Sequence, residues 1–180
     1  MRRVLVIKTN KEPLHDLEFV KPIENILKKA NLKYSIKHYL EIYDKDLKKA
    51  DKIIICGTSL KDNKFINDKN SFEWIKDSSK SLLGICAGMQ IICLVFNGKI
   101  KEKQEIGFYK ENFKKEFLGV NGEQDVYHLH NNYCIFSEDF EEFTESKIPQ
   151  AIKHKSKKIY GVLFHPEVRN PRIIETFCMA

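Results

Sequence analysis

No apolar run in this 180-residue sequence approaches the roughly 18–20 residues that a membrane-crossing helix needs. Nor is there a phosphate-cradling G-x-x-x-x-G-K-[ST] loop, so any ATP-driven chemistry has to come from another polypeptide. The five cysteines, Cys56, Cys86, Cys93, Cys134 and Cys178, are odd in number and never in C-x-x-C spacing. That argues against a disulfide framework and for the reduced thiols of a cytoplasmic protein. The His128-x-His130 pair has no companion cysteine or histidine pair at ligand spacing, so neither a metal nor any other cofactor is expected. Repeats, low-complexity tracts and linkers are absent, and one domain over residues 1–180 is the economical reading. Basic residues are not interleaved with aromatics, which speaks against nucleic-acid binding. The net charge of +6 is modest and scattered. It permits an acidic partner or a nucleotide, and a solvated surface explains it equally well.

Against that background the order of elements is informative. Met1-Arg2-Arg3 followed by Val4–Ile7 resembles a truncated signal peptide, but the apolar run is too short for one and reads as a first buried strand. Leu14–Ala30 has helical spacing, with Pro22 expected to disturb an early turn. Tyr34–His38, Ile53–Cys56 and Leu82–Ile85 read as strands, Phe72–Lys76 as a short helix and Ala87–Phe96 as an apolar helix closed by Asn97-Gly98. This alternation predicts an α/β fold with a mostly parallel sheet flanked by helices. The second half is less regular. Lys99–Val120 is charged and turn-rich with no clear element. Asp125–His130, Tyr133–Phe136, Gln150–His154 and Ile159–Phe164 read as strands, Glu138–Glu145 as a solvated acidic loop or helix face, and Ile173–Phe177 as a closing helix.

The chemistry concentrates at Gly84-Ile85-Cys86-Ala87-Gly88-Met89-Gln90, where a buried strand runs into a helix. A cysteine between two glycines at such a turn is the thiol version of the G-x-S-x-G nucleophile elbow. The glycines are expected to supply the unusual dihedrals of the turn. The helix N-terminus favours the thiolate, and the Ala87 N–H is a natural oxyanion donor. A thiol nucleophile needs a base and an orienting group. Phe164-His165-Pro166-Glu167 offers both. Pro166 disfavours helical geometry at His165, and in extended chain His165 and Glu167 share one face, where the carboxylate fixes the imidazole.

Together these two segments resemble the G-x-C-x-G-x-Q and His-Pro-Glu motifs of the class I glutamine amidotransferases, in the same order. The resemblance covers the whole chain and implies a flavodoxin-like sheet with a smaller antiparallel hairpin region in the C-terminal half. It also implies hydrolysis of L-glutamine by a Cys86–His165–Glu167 triad. Gly57, Ser59, Gln90, His130 and Asn131 fall at substrate-binding positions, and Thr58 joins Ala87 at the oxyanion hole; His128 offers a rival register for His130. The lysine-rich segment Ala151–Val162 is similar to the stand-alone archaeal amidotransferase subunits of GMP synthase, and is open also to reading as a charge-protected sheet edge. That similarity implies a separate synthase partner, of the ATP-pyrophosphatase type if the product is GMP.

Two departures stand out. Gly57-Thr58-Ser59-Leu60 replaces a Gly/Pro-rich loop, and Thr58 resists positive φ. Lys8-Thr9-Asn10-Lys11 replaces an acidic, glycine-containing turn. They keep open a γ-glutamyl hydrolase or peptidase acting on another substrate, and a non-catalytic regulatory homologue.

Overall fold

A computed structural model describes residues 3–180; Met1 and Arg2, which entered the signal-peptide comparison, lie outside the described residues. Nine strands are described: β1 Arg3–Lys8, β2 Lys33–His38, β3 Lys52–Ile55, β4 Ser81–Ile85, β5 Lys99–Phe117, β6 Val120–Ile135, β7 Phe140–Glu142, β8 Ala151–His154 and β9 Ile159–Val162. The helices are α1 Asp16–Phe19, α2 Lys21–Lys29, α3 Asp44–Lys49, α4 Lys64–Asn67, α5 Trp74–Asp77, α6 Ala87–Val95, α7 Pro166–Arg169 and α8 Pro171–Met179. Seven strands form one sheet in the order β2-β1-β3-β4-β9-β8-β7, while β5 and β6 form a separate two-stranded sheet. The first five are parallel; β8 runs antiparallel to β9, and β7 antiparallel to β8. This is the flavodoxin-like arrangement expected. No helix among the described residues is long and apolar enough to cross a membrane.

The central strands are apolar on both faces because both are covered. On β1, Val4 and Val6 join Ile23 and Leu27 of α2 and Ile173 and Phe177 of α8 in one core. Leu5 and Ile7 face the other way, into a core with Met89 and Ile92 of α6. Pro22 acts at the expected place: the single helix read over 14–30 is broken at Val20 into α1 and α2. Proline has no N–H and its ring crowds the carbonyl four residues back.

Three readings of the second half need correction. Lys99–Val120 belongs to a long hairpin, β5 against β6, which also joins the two short strands expected between Asp125 and Phe136 into one. The acidic stretch 138–145 is not simply solvated, since it contains β7 and buries Phe140 and Phe143. The lysine-rich β8–β9 hairpin is not a protected edge either, because β7 covers β8.

Candidate active site

Register brings the two motifs together. β4 and β9 are parallel neighbours, with Ile85 opposite Val162, so Cys86 and His165 emerge close together at the C-terminal ends of adjacent strands. In open α/β sheets that end forms the ligand crevice. The Cys86 N–H donates to the Val162 carbonyl at 2.8 Å, and the Gln90 N–H to the Cys86 carbonyl at 3.0 Å.

The elbow's strain sits on the cysteine. Cys86 has φ 48° and ψ −102°, outside the regions open to side-chain-bearing residues and costing on the order of 1–3 kcal/mol. Neither flanking glycine has positive φ, so the expectation that they supply the turn's dihedrals is replaced by a packing reason. A Cβ on Gly88 would lie 2.3 Å from the Ile55 carbonyl oxygen, and one on Gly84 would lie 2.5 Å from the Gly88 backbone. The glycines let α6 approach β3 and β4 closely, and that packing holds Cys86 in place.

His165 is also positioned differently from the expectation. It is the N-cap of α7, with Pro166 and Glu167 in the first turn, so helix geometry and not strand alternation sets the pair. Proline is well suited to a first turn, which needs no N–H there. His165 Nδ1 and Glu167 Oε1 are 2.7 Å apart, and both residues are buried. The His165 N–H donates to the Tyr127 carbonyl at 2.8 Å, and its ring lies 5.5 Å from that of Phe19. Burial pulls this imidazole downward, but the Glu167 carboxylate and then Cys86 outweigh it and hold His165 well above the ordinary histidine value. Its Nε2 is buried without a conventional hydrogen-bond partner, and the Cys86 thiol donates to the Leu129 carbonyl at 3.6 Å.

A narrow cleft opens beside Cys86, lined among others by Thr58, Ser59, Ala87, Gln90, His130 and Asn131. Gln90 is buried there rather than on an exposed helix face, with Nε2 donating to the Asn132 carbonyl at 3.4 Å. Gly57 lies against Cys86 and His165 instead of the cleft: a Cβ on it would stand 2.6 Å from His165 Cε1. No residue of 57–60 has positive φ, so Thr58 is accommodated without the strain its sequence implied. His130-Asn131-Asn132 is part of β6, not a loop. Of the two registers, His130 reaches the cleft, while His128 lies behind it, fully buried. Burial and then His128 lower the His130 pKa to about 4.

Sequence reasoning missed the groups that hold the loop. Thr9, within the departure at Lys8–Lys11, is buried and its Oγ1 lies 3.3 Å from the carbonyls of both Cys56 and Gly57. Asp62 accepts from Thr58 Oγ1 at 3.2 Å and from the Lys11 N–H at 2.6 Å. Asn131 Nδ2 donates to the Leu60 carbonyl at 3.1 Å, tying β6 to the loop after β3. A threonine where a turn usually carries an acid and a glycine was the signal for the first of these. The other two depend on contacts between distant segments.

Residues 14–176 match the family profile described as glutamine amidotransferase class-I. A stretch of 122 residues is 35% identical to one subunit of the glutamine-hydrolyzing GMP synthase of Methanocaldococcus jannaschii, covering 61% of this chain and 65% of that one. Another of 96 residues is 40% identical to the glutamine-hydrolyzing GMP synthase of Staphylococcus saprophyticus, covering 49% of this chain and only 19% of that enzyme. In three dimensions the chain is similar to a Thermoplasma acidophilum protein solved as a candidate GMP synthase subunit. The TM-score is 0.88 at 24% identity, over 99% of this chain and 93% of that one.

Proposed function

The chain belongs to the class I glutamine amidotransferases, and from that premise we propose that residues 1–180 act as one glutaminase domain, hydrolysing L-glutamine to glutamate and ammonia through Cys86, His165 and Glu167. The ammonia goes to a separate synthase, and the relatives' names point to GMP synthesis and hence to an ATP-pyrophosphatase partner. The observation that carries this reading is His165 held between the Glu167 carboxylate, at 2.7 Å, and Cys86 on the adjacent strand end.

In this mechanism Cys86 passes its thiol proton to His165 and attacks the side-chain amide carbon of glutamine as the thiolate, and the amide oxygen takes the negative charge. The Ala87 N–H at the start of α6 and the Thr58 segment of the cleft are the candidate donors to that oxygen. His165, held in its charged form by Glu167, gives a proton to the departing nitrogen; ammonia leaves and a γ-glutamyl thioester remains. Water then attacks the thioester while His165 takes its proton, releasing glutamate and the thiol. Gln90, Ser59, His130 and Asn131 line the space for the amino-acid end of the substrate.

The test is glutamate release by wild type and Cys86→Ala, alone and with the candidate synthase and its substrates, with γ-glutamyl peptides assayed in parallel. The expected result is partner-stimulated glutaminase activity lost in Cys86→Ala. Unchanged hydrolysis in that variant, or a preference for the peptides, overturns the proposal.

A further inference from the structure

We propose that Glu105, His128 and His130 form a binding site for a divalent transition metal of the zinc type, which clamps β5 to β6 behind the glutamine cleft. The inference does not depend on the glutaminase reading. His128 and His130 are two residues apart on β6, so their rings lie on one face, and Glu105 on β5 pairs directly with His130. Sequence spacing concealed this third ligand, because it comes from the facing strand.

The geometry fits a metal. His128 Nδ1 is 3.1 Å from His130 Nε2 and 3.4 Å from Glu105 Oε2, and His130 Nε2 is 3.2 Å from the same oxygen. A tetrahedral ion with bonds of about 2.0–2.1 Å to nitrogen and oxygen has ligand atoms about 3.3–3.4 Å apart. Two histidines and one glutamate are an established zinc donor set, with the fourth position left to water. Both imidazoles are buried, and the Glu105 side chain is largely so.

The surroundings orient the ligands as metal sites require. His128 Nε2 lies 3.4 Å from Glu111 Oε1, on the far side of the ring from the cluster. Nε2 makes no hydrogen bond in the structure, but a metal held at Nδ1 requires the proton on Nε2, on the side of that carboxylate. Glu111 is itself held by the Ser146 hydroxyl. Glu105 is fixed by Gln150 Nε2 at 2.9 Å and by Lys103 at 3.1 Å from its other oxygen. His128 Nδ1, His130 Nε2 and Glu105 Oε2 thus converge within 3.1–3.4 Å of one another, the spacing that a shared divalent ion would draw on.

The probe is Co²⁺, with Zn²⁺ as competitor, titrated into chelator-stripped full-length protein and followed by visible absorption. Cys86→Ser serves as a second background, so that binding by the reactive thiol is recognised. We expect one Co²⁺ per chain in both proteins, with tetrahedral d–d bands, displaced by Zn²⁺. His128→Ala and Glu105→Gln should weaken binding by at least tenfold, and Glu111→Gln by roughly 10–100-fold, as for the outer partner of a metal-bound histidine. Circular dichroism and melting establish that each variant is folded. If His128→Ala does not fold, the conservative Glu105→Gln and Glu111→Gln decide the matter. Loss of binding in Cys86→Ser, no stoichiometric binding in wild type, or unchanged affinity in both conservative variants overturns the site.

Discussion

Replacing Gly57 by alanine tests the geometry of the proposed active site at a position that carries no chemistry of its own. The added Cβ would stand 2.6 Å from His165 Cε1 and 3.4 Å from Cys86 Cβ, whereas carbon atoms in contact settle at about 3.5–4.0 Å. One partner therefore has to move by about 1 Å. The imidazole is held by Glu167 at 2.7 Å and by the Phe19 ring on one side, and the His165 backbone N–H is anchored on the Tyr127 carbonyl at 2.8 Å. Gly57 is held in turn through its carbonyl by Thr9. Either the base is displaced from the nucleophile or the loop carrying Thr58 is displaced from the oxyanion position.

A displacement of about 1 Å at a reacting group costs on the order of 10²-fold in rate, or about 2.7 kcal/mol of barrier. Overpacking of a dense site costs a further 1–3 kcal/mol or so of stability, which lowers the Tm of a chain this long by roughly 2–4 °C per kcal/mol. The assay is glutamate release with the stimulating partner at saturation, kcat and KM resolved separately, beside a melting curve. A fall of about two orders of magnitude in kcat with a folded protein is expected. Activity within threefold of wild type at unchanged Tm refutes the argument, since it would mean that the Gly57 contact does not constrain the pair.

Thr9→Val removes the hydroxyl shared by the Cys56 and Gly57 carbonyls, so about 1 kcal/mol of stability should be lost in denaturant melts; an unchanged midpoint refutes the holding role. Glu167→Gln removes the main group raising His165, and the imidazole pKa followed by NMR should fall. His165 is raised in the folded state above its ordinary 6.5. Its stabilising contribution is therefore full below that value and is lost as pH rises through the higher folded one. The Tm advantage of wild type over Glu167→Gln should accordingly shrink as pH rises above neutrality, and a gap that widens contradicts the pairing.

The parallel sheet was legible because its strands are buried on both faces and appear as short uniform apolar runs, such as Ile53–Cys56 and Leu82–Ile85. The β5–β6 hairpin was not, for the opposite reason. Its outer half belongs to a two-stranded ribbon without a covered face, and residues such as Lys101, Glu102 and Lys103 are exposed in succession. Period-2 alternation appears only where one face of a strand is buried. β7 was hidden by its acids, although Phe140 within it and Phe143 just after it are buried. At the site, Cys86, His165 and Glu167 were legible because each motif is local in sequence. Thr9, Asp62 and Glu105 were not, since each has a partner far along the chain: the carbonyls of Cys56 and Gly57, the Lys11 N–H and His130 respectively.

These hidden contacts explain how the loop departs from the Gly/Pro-rich pattern without collapsing. Thr9 beneath, Asp62 beside and Asn131 across the cleft hold residues 57–60 by side-chain bonds. The loop then needs no left-handed glycine to set its path, and Thr58 takes an ordinary conformation. Gly57 is retained for a different reason, the space occupied by His165 Cε1. The same bonds make the loop's position depend on β6, because Asn131 lies next to His130 on that strand and donates to Leu60. A group that grips His130, such as the proposed metal, therefore acts one residue away from the bond that secures the candidate oxyanion loop.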